Sequence, residues 1–140
     1  MRYWDSSAIV PLLHQESATD RMLKHLRRDS IVVTWWGTEV ECASAVARLE
    51  REGKLELKTA TTALQRLRQL AGAWNEIQAT RLLKQAAKRL LRVHSLRAGD
   101  SLQLAAALLA SDRQPESLTF LCLDQRLSEA AEREGFSVVV

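Results

Sequence analysis

The sequence is poor in the features that divide, staple or anchor a chain. Five glycines and two prolines among 140 residues leave no linker and no low-complexity run. There is no internal repeat either, so one domain spanning residues 1–140 is expected. The only two cysteines, Cys42 and Cys122, fall far apart, one in a helical pattern and one in a strand pattern. Without a CxxC pair or finger-like spacing they read as buried thiols. Three scattered histidines with no i, i+4 pairing give little basis for a histidine metal site. No run approaches the ~20 apolar residues of a membrane span, and the N-terminus lacks a basic segment followed by an apolar stretch and cleavage site. A soluble, cytoplasmic protein with no membrane partner is therefore expected. Ser6 and Ser7 lack the glycines of a nucleophile elbow, which argues against serine-hydrolase chemistry. No lysine follows Lys88, which removes the late lysine that a phospho-accepting receiver domain uses.

What the chain does have is basic charge in one place. Lysine and arginine number 20 against 17 acids, and most are arginine, the side chain best shaped to grip phosphate through two prongs. From Ile77 to Gly99 the segment IQATRLLKQAAKRLLRVHSLRAG contains no acid at all. Helical spacing puts Arg81, Lys84, Lys88 and Arg92 along one stripe, opposite Leu82, Leu83, Ala86, Leu90 and Leu91. Such a stripe is usually solvated, and contact with a polyanionic, phosphate-bearing partner is the rival reading.

Strand and helix patterns alternate along the chain. RYWD reads as a short strand and SSAIVPLLHQ as a helix made irregular by Pro11. Ser17 and Asp20 have capping-box spacing before the helix that ends ahead of Asp29. SIVVTWW is a second strand, and GTEVECASAVARLEREGKL a helix stopped at Gly53. Trp35 and Trp36, at that junction, could stack on a base, but packing is the favoured role. Two amphipathic patterns, ATTALQRLRQLAGAW and EIQATRLLKQAAKRLLRV, then lead to the apolar helix DSLQLAAALLASD, with no strand expected among them. SLTFLCLD returns to a strand, QRLSEAAEREG is a helix and FSVVV a last strand. Alternation of this kind requires crossovers and favours an α/β fold, with a mostly parallel sheet covered on both faces.

Four acids share a place in this pattern. Asp5 ends the first strand, Asp124 ends the third, Glu41 opens the helix after the second, and Asp100 starts the apolar helix. Side chains just past the carboxyl ends of parallel strands converge on one crevice. Carboxylates gathered there repel one another and call for a divalent cation, Mg²⁺ or Mn²⁺ for an all-oxygen set. Each acid also has a purely structural explanation. Asp5 could cap the following helix, and Glu41 lies three residues after Thr38 as in a capping box. Asp100 could serve a helix dipole, and Asp124 a turn.

On these residues the chain resembles PIN-domain proteins, and within that superfamily the VapC toxins of toxin–antitoxin pairs, over nearly its whole length. YWDSSAIVPLL is similar to the family's first motif, with Asp5 as its aspartate. ECASAVARLEREGKL resembles the segment opened by the family's glutamate, here Glu41 rather than Glu39. LRAGDSLQLAAAL and FLCLDQRLSEAAEREGF look like the third and fourth motifs, with Asp100 and Asp124. Cys122 stands where the family often has Ser or Thr. The resemblance implies a PIN-like three-layer α/β/α fold and an Mg²⁺- or Mn²⁺-dependent endoribonuclease, with Asp5, Glu41, Asp100 and Asp124 as catalytic and metal-binding residues. It also implies a cognate antitoxin partner and a homodimer. The competing expectation is a non-catalytic RNA-binding or interaction module that uses the basic helix and carries the acids only as caps.

Overall fold

The computed structural model describes all of residues 1–140. Its centre is a five-stranded sheet of β1 (Arg2–Trp4), β2 (Val32–Trp35), β3 (Asn75–Ile77), β4 (Thr119–Leu121) and β5 (Ser137–Val139). The order is β3-β2-β1-β4-β5, and every pairing is parallel. The helices are α1 (Ser6–Ile9), α2 (Thr19–Arg28), α3 (Thr38–Arg51), α4 (Leu57–Ala71), α5 (Arg81–Val93), α6 (Ala98–Ala110) and α7 (Gln125–Arg133). None is long and apolar enough to cross a membrane.

Two-residue alternation along the strands builds two cores. Tyr3, Val33, Phe120 and Cys122 face a layer formed by α5, α6 and α7. Their neighbours Trp4, Val32 and Leu121 face the opposite way, onto α1, α2, α3 and α4. The result is the expected three-layer α/β/α arrangement, with a sheet that is wholly parallel. The chain leaves β1 into one helical layer and β4 into the other. The carboxyl ends of these two adjacent strands therefore form the topological switch point, where ligands of open α/β sheets bind.

Local chemistry explains where the elements start and stop. After α1 the chain tightens into a 3₁₀ turn, Val10–Leu12, because Pro11 has no N–H with which to continue the α-helical ladder. Gly53 takes φ +72° just past α3, a left-handed conformation suited to glycine.

Several expectations need correction. The stretch between α4 and α5 is not free of strands: Asn75–Ile77 pairs with Val33, Thr34 and Trp35 at the sheet edge, which makes the strand before Asp124 the fourth. Ser17 and Asp20 form no capping box. The residue before α2 is Ala18, with no side-chain cap, and the Thr19 hydroxyl instead accepts the Glu16 N–H at 2.9 Å and donates to the Pro11 carbonyl at 2.7 Å. On α5 the buried face is Leu83, Ala86, Ala87 and Leu90, whereas Leu82 and Leu91 are exposed.

This division of α5 has a measurable consequence. Leu83→Ala should cost about 2–5 kcal/mol of stability by leaving a cavity, and Leu82→Ala should change it by no more than about 0.5 kcal/mol. Urea unfolding of the two variants compares them directly.

Candidate active site

Asp5 follows β1 with extended backbone and caps α1. Its Oδ2 accepts the Ser7 N–H at 3.0 Å and the Ser7 hydroxyl at 2.5 Å. Ser7 Oγ in turn accepts the Leu123 N–H at 2.9 Å, and the Asp5 N–H donates to the Leu121 carbonyl at 2.9 Å. The exits of β1 and β4 are thus laced together around one carboxylate. Capping and a site role are not alternatives here, because all these side-chain bonds fall on Oδ2 and leave Oδ1 available. Cys122 Sγ lies 3.7 Å from Asp5 Oδ2, so the thiol occupies the place beside this acid. Burial, reinforced by the Asp5 charge, pushes Cys122 up to about 12; both cysteines are buried and free.

Glu41 is not part of a capping box. Gly37 precedes α3 without a side-chain cap, and Thr38 is buried with its hydroxyl 2.6 Å from that of Thr34. Glu41 Oε1 accepts the Trp35 indole N–H at 3.2 Å, and Oε2 accepts the Gln103 amide N–H at 3.0 Å. Of the tryptophan pair, Trp35 is 8% exposed and Trp36 is 54% exposed, and the two rings meet edge-on at 6.0 Å between centroids.

Asp100 stands in the first turn of α6, where Oδ2 accepts the Arg97 N–H at 3.3 Å. Asp124 caps α7 through Oδ1, which accepts the Leu127 N–H at 2.8 Å. Asp100 and Asp124 share an open polar cleft of about 440 Å³, rimmed by Arg97, Gln125, Arg126 and Glu129. A second groove of about 320 Å³ is lined by Arg81, Lys84 and Lys88 of α5, with Thr80 and Gln85.

Electrostatics connects these acids. Asp5, only 4% exposed, is pushed up to about 6, mainly by burial; the Ser7 bonds oppose the shift, and the charges of Glu41 and Asp100 add to it. Asp100 is also raised, first by burial and then by Asp124, against the pull of its backbone bond and of Arg97 and Arg126. None of the four takes part in a salt bridge. They do not form a closed cage, since no three His, Cys, Asp or Glu side chains surround one point. An all-oxygen donor set with unbalanced negative charge fits a hard divalent cation that keeps several of its waters.

Two contributors were not singled out from the sequence. Arg126 follows Asp124 by two residues and lies on the cleft rim. Gln103 bonds Glu41, and its signal was present: a glutamine inside an apolar helix must find partners when buried.

No protein-family model matches the chain, and no curated protein matches it significantly. Solved structures do share the fold. One is a chain of a toxin–antitoxin complex from Klebsiella pneumoniae, with TM-score 0.64 and 15% identity, covering 100% of this chain and 97% of that one. Another is a chain of the FitAcB crystal structure from Neisseria gonorrhoeae, with TM-score 0.65, 20% identity and the same coverage.

The raised Asp5 carboxyl predicts a pH dependence. The folded protein holds this proton more tightly than the unfolded chain, so the stability tied to it is fully present below about 4 and is lost as pH rises through about 6. The full difference is roughly 3 kcal/mol. In chelator, Asp5→Asn should therefore stabilise the protein by about 2–3 kcal/mol at pH 8 and by little at pH 4, as read from urea unfolding at both pH values.

Proposed function

We propose that this chain is a metal-dependent endoribonuclease that acts as the toxin of a toxin–antitoxin pair. The observation that carries the reading is four carboxylates at the carboxyl edge of a parallel sheet, none in a salt bridge, beside a cleft rimmed by Arg97 and Arg126. The fold shared with a chain of a toxin–antitoxin complex supports the toxin role.

Asp5, Glu41 and Asp100 would hold Mg²⁺ or Mn²⁺, directly or through water, while Asp124 completes the set or orients the attacking water. When bound, the metal lowers the pKa of a coordinated water and offsets charge on the phosphoryl oxygens. The protein supplies orientation and charge. A carboxylate cluster repels RNA, so Arg97 and Arg126 receive the phosphates next to the scissile bond, and the α5 groove extends this contact along the strand. Trp36 offers an exposed aromatic face on which an unpaired base can stack. The partner antitoxin would silence the site by placing a basic side chain among the carboxylates.

The acid-free groove of Arg81, Lys84 and Lys88 also favours a second reading, an RNA-binding module without catalysis. Incubation of the purified protein with RNA, in Mg²⁺ or in chelator, separates the two. Wild type should cleave only with metal, and Asp5→Asn and Asp100→Asn should each lose activity by at least about a hundredfold. Cleavage that survives in both variants overturns the proposal, and metal-independent binding without cleavage favours the module. Expression of wild type should arrest growth, and the same substitutions should relieve it.

Replacing both Arg97 and Arg126 with alanine should raise KM for RNA about tenfold at low salt with little change in kcat. It should also flatten the dependence of log KM on log salt by roughly one to two in slope. Steady-state kinetics at several salt concentrations supply both numbers.

A further inference from the structure

Gln103 is 1% exposed and sits in α6 between Leu102 and Leu104, where an apolar residue would pack without a desolvation cost. Both ends of its amide are engaged. Oε1 accepts the Tyr3 hydroxyl at 2.7 Å, and Nε2 donates to Thr38 Oγ1 and Glu41 Oε2, each at 3.0 Å.

The polarity of this network is set by chemistry. An ionised carboxylate only accepts, so the amide must present its nitrogen to Glu41. That leaves its oxygen for Tyr3, whose hydroxyl has to donate. Tyr3 is fully buried beside this amide. On the other branch Thr38 accepts from Gln103 and lies 2.6 Å from the Thr34 hydroxyl, which donates to the Trp4 carbonyl at 2.8 Å. Both branches end on β1. On the opposite side of Glu41, Trp35 supplies the second donor. Its ring is pressed against Gly37, where a Cβ would come within 2.3 Å of the indole.

We propose that Gln103 is the positioning residue of Glu41, and that the Tyr3 hydroxyl fixes the orientation of its amide so that Glu41 is held ready for a divalent cation. Glu41 is gripped by two neutral donors, one on each oxygen. A lysine or arginine could fix the same rotamer but would cancel the charge that a cation needs. The neutral grip leaves that charge uncompensated and one lone-pair direction on each oxygen unused. Tyr3 and Gln103 thus act on the metal through Glu41, as the outer hydrogen-bond partners of metal ligands generally do.

The inference rests on the reading of this site as a metal centre, and the test separates the two. Mn²⁺ affinity of the full chain is measured by isothermal calorimetry for wild type, Gln103→Leu, Tyr3→Phe and Leu108→Ala. The last variant creates a core defect further along α6 and controls for lost stability alone. Gln103→Leu should weaken Mn²⁺ binding by 10- to 100-fold, Tyr3→Phe should weaken it by less, and Leu108→Ala should leave it unchanged. For Gln103→Leu, kcat should recover at high Mn²⁺ with KM for RNA unaltered. Tyr3→Phe keeps the ring packing and carries the test if Gln103→Leu fails to fold. Wild type that binds Mn²⁺ beside a folded Gln103→Leu or Tyr3→Phe variant that binds it equally well overturns the positioning role alone. Wild type that binds no Mn²⁺ overturns the metal reading and this inference with it.

Discussion

The candidate site depends on negative charge held, without a salt bridge, at one edge of a parallel sheet. A buried carboxylate is ordinarily paired with a cation or driven to neutrality. Here Asp5, which is buried, Glu41 and Asp100, which are half-buried, and Asp124, which is exposed, are held by a serine, an indole, a primary amide and backbone N–H groups. Every one of these donors is neutral. They specify orientation without discharging the site, and the nearest arginines in the cleft, Arg97 and Arg126, stand on its rim. This division is what a site needs if a cation is to occupy the centre while a polyanion approaches from outside.

Placing the acids is the work of topology. The strand order β3-β2-β1-β4-β5 puts the exits of β1 and β4 side by side, and Ser7 joins them by accepting from Leu123 while donating to Asp5. The same bonds that order Asp5 also bury it, so the isolated acid lowers the stability of the fold at neutral pH. Functional sites commonly carry such a cost, which the rest of the molecule must offset. Here the offset comes from two apolar layers, one against each face of the sheet.

Much of this was legible in the sequence, and the omissions have physical causes. The strand–helix alternation, the irregular turn at Pro11 and the placement of all four acids follow from periodicity and from residues with strong local preferences. The edge strand Asn75–Ile77 leaves no strand pattern in the sequence because it is three residues long, largely polar and paired on one side only. The Thr38–Glu41 spacing imitates a capping box, but tertiary partners claim both side chains. Leu82 and Leu91 look inward on a helical wheel and yet remain exposed, since α5 buries a narrower face made of Leu83, Ala86, Ala87 and Leu90. Gln103 could have been found by asking what a lone amide does in an apolar helix. Its link to Tyr3 could not, because that contact joins residues a hundred positions apart.

Anomalous diffraction from crystals soaked in Mn²⁺ tests the central claim most directly. The account predicts a peak among the carboxylates of Asp5, Glu41 and Asp100, with waters completing the coordination. Strong Mn²⁺ density elsewhere, with these three acids left bare, would contradict it.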